Sequence, residues 1–408
     1  MPPLLSIIIP TRNRQKYAIS TVESILNIQD PDLELVVQDN STTGELGEYL
    51  RNTTDDERLV YHYNPRPVSM IDNFECAVRS SSGRYLCCIG DDDGLNPGIL
   101  EVARQADEEG WDAVIPAINV VYYWPGSLGR GSTKKDPDDG VLHINPYSAD
   151  ISFADSESEL RRLVRDGGLN YFLAGIPRLY HGIVSRTVLH AIYETTGSHF
   201  GGLSPDVYIA VASAGYAKKV VTVNYPLTIL GACEASATAQ SERGEHSGPL
   251  ENAPHFQHRE HYQWSTRVPC FYCVETIWAD SMVAALTALG RHDLLREFNT
   301  TNLAAHCILY YPKYFPVIIR DMVRYFRETP TDLATGMVRF SHLIVHNFRN
   351  DVLKRYRARI WGTSGPPCTT YHNVRDIQEA MGILAGYLDQ NNPEFMDSIS
   401  NTKLEQGI

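Results

Sequence analysis

The first 120 residues alternate short apolar runs with segments of helical period, and that alternation constrains the chain to a mostly parallel sheet covered by helices. The run from Leu4 to Ile9 is nearly continuous and rich in Ile, the pattern of a strand buried on both faces, and it stops at Pro10. Ala18, Val22, Ile25 and Leu26 then share one helical face. Leu33 to Val37 predicts a second strand ending in the turn Asp39-Asn40-Ser41, and Leu59 to Tyr63 a third. Ile71 to Ser80 reads as a helix, Tyr85 to Ile89 as a fourth strand and Ala113 to Ile118 as a fifth. The fourth strand ends in Asp91-Asp92-Asp93-Gly94, and Pro97 opens the next helix, where its missing N–H costs nothing.

Residues 122–146 are dense in Gly, Pro, Ser and charge and read as a loop or lid. Helical signals return at 157–165, 184–194 and 207–214, with a late strand at 220–223 and a small, polar stretch from 233 to 255. Beyond about residue 260 almost everything has helical period. The expected organisation is one domain over 1–255, with halves at 1–120 and 121–255, and an all-α domain over 256–408. The 408 residues carry 36 Lys plus Arg against 49 Asp plus Glu, a net charge of −13. A surface this acidic repels phosphate backbones and anionic headgroups, so nucleic acid is excluded as a partner. Eight Cys are too sparse for a disulfide scaffold, and the adjacent Cys87 and Cys88 look like reduced core thiols. The N-terminus reads as a strand instead of a signal peptide, and no apolar stretch is long enough to span a membrane. A cytoplasmic protein is the expectation.

In an open parallel sheet, ligands bind outside the carboxyl ends of the strands. Three such ends are polar here: Pro10-Thr11-Arg12-Asn13, Gln38-Asp39-Asn40-Ser41 and Gly90-Asp91-Asp92-Asp93. Two carboxylates ~4–6 Å apart repel by roughly 3–4 kcal/mol at an effective dielectric of about 20. Three in a row at a strand end therefore call for a cation or for raised pKa values. Hard oxygen ligands suit Mg²⁺ or Mn²⁺, which take one or two carboxylates together with substrate phosphates. Neither G-x-x-x-x-G-K-[ST] nor a G-x-G-x-x-G after the first strand is present, so a nucleotide diphosphate would be held through a metal instead of a glycine-rich cradle.

The stretches SIIIPTRNR, LELVVQDNSTTG and GRYLCCIGDDDGLNPGIL together resemble the family 2 glycosyltransferases, whose usual pattern is an I-P-T-Y-N opening, a V-x-D-D/N-x-S turn and a D-x-D motif after the fourth strand. The resemblance covers residues 4–120 well and 180–231 loosely. It implies a GT-A fold: α/β, a doubly wound, Rossmann-like, mostly parallel sheet, here followed by the all-α C-terminal domain. It implies a donor-binding set of Pro10, Thr11, Arg12, Asn13, Asp39, Asn73, Asp91, Asp92 and Arg243, with Asp39 accepting from the ring N–H of uracil. Asp91 and Asp93 match the ends of the D-x-D motif, with Mn²⁺ or Mg²⁺ on Asp93 and Asp91, completed by His246 or His255. Arg12 stands where the family commonly has Tyr, which leaves the nucleotide open. UDP is the first expectation.

GGLSPDVYIAVASAGYAKKVVTVNYPLTIL resembles the family's stretch in which an acidic residue opens a helix, and Asp206 matches that residue. It would deprotonate the acceptor hydroxyl. Ser204-Pro205-Asp206 is equally an ordinary helix start, where the dipole favours Asp. His181 is expected either on the acceptor side or as a satisfied core histidine. His255, His258 and His261 with Cys270 and Cys273 make at most half a structural zinc site. The reading is an inverting, metal-dependent glycosyltransferase that moves a sugar from a nucleotide diphosphate sugar to a hydroxyl of a small-molecule, natural-product or saccharide acceptor. The helical domain would wall the acceptor site, form a homodimer, or pack only on itself. The alternatives are a sugar-1-phosphate nucleotidyltransferase and a non-catalytic sugar-nucleotide binder.

Overall fold

The computed structural model of the protein describes residues 2–127, 139–234, 236, 246–259, 261–329, 333–361, 368–392, 394–395 and 399. The alternating segments become β1 (Leu5–Thr11), α1 (Gln15–Leu26), β2 (Leu33–Asp39), α2 (Glu45–Thr53), β3 (Leu59–Tyr63), α3 (Met70–Ser80) and β4 (Tyr85–Cys88). Directly after the aspartates comes a two-residue strand, β5 (Gly94–Leu95), then α4 (Ile99–Glu109) and β6 (Ala113–Ala117). The helix expected from Pro97 therefore starts two residues later. β7 (Val120–Tyr123), β8 (Val141–Ile144), β9 (Ile151–Phe153), α5 (Ser156–Arg165), β10 (Ile183–Ser185), α6 (Arg186–Thr196), α7 (Pro205–Ala214), β11 (Val220–Pro226) and β12 (Thr228–Ala232) complete the first two thirds.

Among the described residues the main sheet has eight strands in the order β3-β2-β1-β4-β10-β6-β11-β9. β1 runs parallel to β2 and β4, β2 to β3, and β6 to β11, while β10 and β9 run antiparallel. Its strands separate two apolar cores, because successive side chains point to opposite faces. Leu5, Ile7 and Ile9 of β1 face one core and Ile8 faces the other. Cys87 and Cys88 divide in the same way, and burial pushes both thiol pKa values up, as reduced core thiols require. A second sheet, which takes in a late strand β13 (Thr369–His372) in the order β13-β8-β7-β12-β5, stands beside the acidic turn. Its strands β7 and β8 come from the stretch expected to be a loop or lid, of which residues 128–138 lie outside the described residues.

The helices that follow are α8 (Val274–Ala288), α9 (His292–Glu297), α10 (Thr300–Tyr310), α11 (Phe315–Glu328) and α12 (Leu333–Trp361). Among the described residues they pack into a core shared with the preceding elements. Ala279, Met282, Leu286 and Leu303 share one apolar cluster with Leu160, Val207 and Val211 of the preceding elements. That cluster spans the boundary expected near 255. The tail corrects the all-α expectation more plainly: β13 (Thr369–His372) pairs antiparallel with β8, and α13 (Ile377–Asn391) buries Ile377, Ala380, Met381, Leu384 and Leu388 in the core that holds Ile7, Ile9 and Val37. Helical period announces an apolar face but not the surface it meets. Among the described residues no helix is long and apolar enough to cross a membrane.

The tail is therefore structural to the N-terminal half. Leu384→Ala is expected to cost about 2–5 kcal/mol, as other buried leucine truncations do. A calorimetric melt should show the main transition lowered, whereas an unchanged transition would mean that the tail docks without contributing stability.

Candidate functional site

The site is built where the sheet register brings polar strand ends side by side. Thr11 at the end of β1 lies directly opposite Asp39 at the end of β2. Asp39 is fully buried, and its carboxylate is fixed from two sides: Oδ1 accepts from the Ser41 amide at 2.8 Å and Oδ2 from the Tyr61 hydroxyl at 2.8 Å. Burial, reinforced by that carboxylate, pushes the Tyr61 pKa well up, so it remains a donor to Asp39. Asn40 ties down the loop after β3, donating to the carbonyls of Asn64 at 2.8 Å and Arg66 at 2.7 Å. Arg12 reaches the Val68 carbonyl of the same loop at 3.3 Å. Asn13 sits exposed with a positive φ of 56°, and its Oδ1 accepts from the Thr42 amide at 2.8 Å. Pro10 is half-buried in the strand before it. Asn73 on α3 donates to the Thr11 carbonyl at 3.3 Å, and its buried Oδ1 has no hydrogen-bond partner.

The three aspartates are all buried, and their environments split them into two groups. Asp91 and Asp92 face Arg14, whose Nε lies 3.1 Å from Asp91 Oδ1 and whose Nη2 lies 2.7 Å from Asp92 Oδ2. Thr11 Oγ1 donates to Asp91 Oδ2 at 2.5 Å, and the Cys233 amide to Asp92 Oδ2 at 3.1 Å. Burial raises the pKa of both carboxyls, and the Arg14 charge works against that rise. Arg14 is the residue that sequence reasoning missed. It occupies the N-cap of α1, where it makes no side-chain cap bond and is free to turn toward the aspartates.

Asp93 is only 1% exposed and is saturated by other donors. Its Oδ1 accepts from the Gly231 amide at 2.6 Å, and its Oδ2 from the Gly90 amide at 2.6 Å and the Tyr180 hydroxyl at 3.0 Å. His181 Nε2 lies 3.2 Å from the same Oδ2, and its Nδ1 pairs with Thr228 Oγ1 at 2.9 Å. Burial alone would raise the Asp93 pKa, but His181 and the two amides hold it below the usual carboxylate value. Residue 231 must be glycine here, because a Cβ would stand 1.9 Å from the Asp92 carbonyl. The indole of Trp124 donates to that carbonyl at 2.9 Å and closes the turn from the second sheet.

Asp93, expected on the metal, is buried here and joins the turn to β12 and His181. His181 is buried, the second of its two expected settings. His246 is half-buried with its ring edge-on to His255, 5.2 Å away, and to Tyr272, 5.9 Å away. Among the described residues no three His, Cys, Asp or Glu side chains converge as a ligand set, so Asp91, Asp93 and His246 do not form one. Arg243 lies outside the described residues. Asp91 and Asp92 turn carboxylate oxygens toward Arg14, the hard donors a divalent ion would take.

From the other half of the chain, Asp206 enters at the second position of α7, behind Ser204 and Pro205. Ser204 Oγ bonds to its Oδ1, and the Tyr171 hydroxyl reaches its main-chain carbonyl at 3.3 Å. Leu203 and Ser204 donate their amides to Ser281 Oγ on α8 at 3.0 and 2.8 Å, which locks the entry to α7. Burial raises the Asp206 pKa, and His181 lies close enough to pull against that shift.

The sequence model described as "Glycosyl transferase family 2" matches residues 6–151, which contain Thr11, Arg14, Asp39 and the aspartate turn. Through these residues that part of the chain is similar to glycosyl transferase family 2. Two curated relatives agree. The GalNAc(5)-diNAcBac-PP-undecaprenol beta-1,3-glucosyltransferase of Campylobacter jejuni is 32% identical over 114 residues, 27% of this chain and 36% of that protein. The putative colanic acid biosynthesis glycosyl transferase WcaA of Escherichia coli K12 is 34% identical over 107 residues, 24% of this chain and 36% of that protein. The chain thus spans about a third of the length of each of these relatives. Among solved structures, S. aureus TarS 1-349 in complex with UDP-GlcNAc aligns over 95% of this chain and 92% of that one, with 14% identity and a TM-score of 0.47. The mostly parallel sheet has the GT-A architecture that the motifs implied, joined to a helical C-terminal region.

Arg14 carries the electrostatic balance of the turn. Its removal drives the folded-state pKa values of Asp91 and Asp92 further above their unfolded values. A carboxyl so raised costs stability progressively as pH climbs from the unfolded value through the folded one. The Tm deficit of Arg14→Ala should therefore be larger at about pH 8 than at about pH 5. An equal deficit at both would show that Arg14 stabilises by packing alone.

Proposed function

We propose that the protein transfers a sugar from a nucleotide diphosphate sugar to a hydroxyl group of its acceptor, with inversion at the anomeric carbon. The observation carrying this reading is the meeting, at one end of the sheet, of Asp39 with the Arg14–Asp91–Asp92 cluster. The named relatives, both glycosyltransferases, support it.

The donor base lies at the ends of β1 and β2, where Asp39 is held rigidly enough to accept an imide N–H. That chemistry favours uracil and therefore UDP. Asn73 offers an unsatisfied carbonyl oxygen beside Thr11 for the rest of the nucleotide. The diphosphate lies over the aspartate turn, where Arg14 supplies positive charge. Mn²⁺ or Mg²⁺ would be held by Asp91 and Asp92 and would neutralise charge on the departing diphosphate. Asp206 takes the proton from the acceptor hydroxyl. The oxygen then forms its bond to the anomeric carbon from the face opposite the leaving group, and the carbon–oxygen bond to the diphosphate breaks with its electron pair on the diphosphate. The buried setting of Asp206 raises its proton affinity, which suits a base.

Asp206→Asn should lower kcat by about 10²–10⁴-fold while donor affinity is kept, since the side chain acts on the acceptor. In the unaltered protein kcat/KM should fall on acidification as Asp206 gains its proton, with a midpoint above the ordinary aspartate value of about 4. Full turnover in Asp206→Asn would remove Asp206 from the role of base.

A further inference from the structure

Beside Asp206 the chain exposes apolar surface that folding does not explain. The single helical turn Tyr171–Leu173 holds Phe172 at 52% and Leu173 at 76% exposure. Tyr171, between them and the core, is buried and donates its hydroxyl to the Asp206 carbonyl. The rings of Tyr171, Phe172 and Trp278 form a cluster, with centroids 5.3 Å apart for Tyr171–Phe172, 5.4 Å for Tyr171–Trp278 and 5.1 Å for Phe172–Trp278.

This turn is rigidly mounted. Gly167, Gly168 and Asn170 lead into it with positive φ values of 77°, 82° and 61°. The Leu173 amide closes on the Asn170 carbonyl at 2.9 Å. Beneath it, buried Arg178 donates to the Phe172 carbonyl at 3.2 Å, and its Nε has no hydrogen-bond partner. A guanidinium sunk in this way costs desolvation, which lowers its pKa, and that cost is spent on fixing the turn. Large apolar side chains fixed outward next to a candidate base mark a binding surface.

The rim of this surface is polar. Arg162 donates to the Leu173 carbonyl at 3.4 Å and pairs with Glu159 at 2.7 Å, and Glu159 accepts from the Gly175 amide at 3.0 Å. An aromatic floor bounded by a guanidinium and a carboxylate matches a sugar, whose C–H face packs on rings and whose hydroxyls take in-plane hydrogen bonds. A lipid chain would need a long apolar groove, and the net charge of −13 opposes docking on an anionic bilayer.

We propose that Phe172, Leu173 and Trp278 form the acceptor subsite, on which a pyranose ring of a saccharide acceptor lies while its hydroxyl is presented to Asp206. This rests on the glycosyl-transfer reading above and supplies its acceptor class.

The test uses the full chain labelled with 5-fluorotryptophan, with the Trp278 fluorine signal assigned through Trp278→Phe. Cellotetraose, chitotetraose and maltotetraose are titrated one at a time, and vesicles of phosphatidylglycerol form a separate arm. At least one oligosaccharide should move the Trp278 signal saturably. That affinity should fall by about tenfold or more in the exposed double variant Phe172→Ala/Leu173→Ala and stay within about twofold in Phe172→Tyr. A signal unmoved by every oligosaccharide, moved only by vesicles, or moved equally in the double variant overturns the proposal. Calorimetric UDP binding on the same samples separates the two readings. UDP bound with Trp278 silent overturns the acceptor subsite alone, whereas no UDP binding in the unaltered protein counts against the donor site itself.

Discussion

Two carboxylates buried against one guanidinium are the constraint around which the rest of the molecule is arranged. Asp91 and Asp92 could not stay charged at a buried strand end without a cation, and Arg14 meets both of them. That pairing requires α1 to start immediately beneath the turn, which β1 and the bend at Asn13 bring about. It requires the turn itself to be held, and Gly231, Trp124 and Asp93 hold it from the second sheet. The second sheet is in turn closed by β13 and backed by α13, so the far end of the chain supports the chemistry of its beginning.

The same arrangement assigns different work to three adjacent, identical residues. Asp93 is spent on structure, with its oxygens occupied by two amides, a phenol and a histidine. Asp91 and Asp92 keep raised pKa values and share the Arg14 guanidinium. His181 joins Asp93 on this turn to Thr228 of β12.

Much of this was legible in the chain itself. The apolar runs of β1 and β2 showed their strands, because strands buried on both faces leave a continuous signal, and the polar ends at Thr11, Asp39 and Asp91 fell where a parallel sheet exposes its edge. The division of labour among the aspartates was not legible. The donors that saturate Asp93 come from Tyr180, His181 and Gly231, about 90 to 140 residues later, and nothing local marks them. Arg14 was hidden for a related reason: next to Arg12 and Asn13 it looks like one more polar turn residue, and only the geometry shows which cation turns inward. The return of the tail was hidden because the period of α13 reveals a buried face and not its partner.

The measurement that bears most directly on the donor site is calorimetric titration of the intact protein with UDP, dTDP, GDP and ADP, each with and without Mn²⁺. UDP should bind more tightly than the other three, and Asp39→Asn should remove that preference by presenting an amide N–H to the imide. Equal binding of all four, a preference that survives Asp39→Asn, or no binding at all would contradict the account.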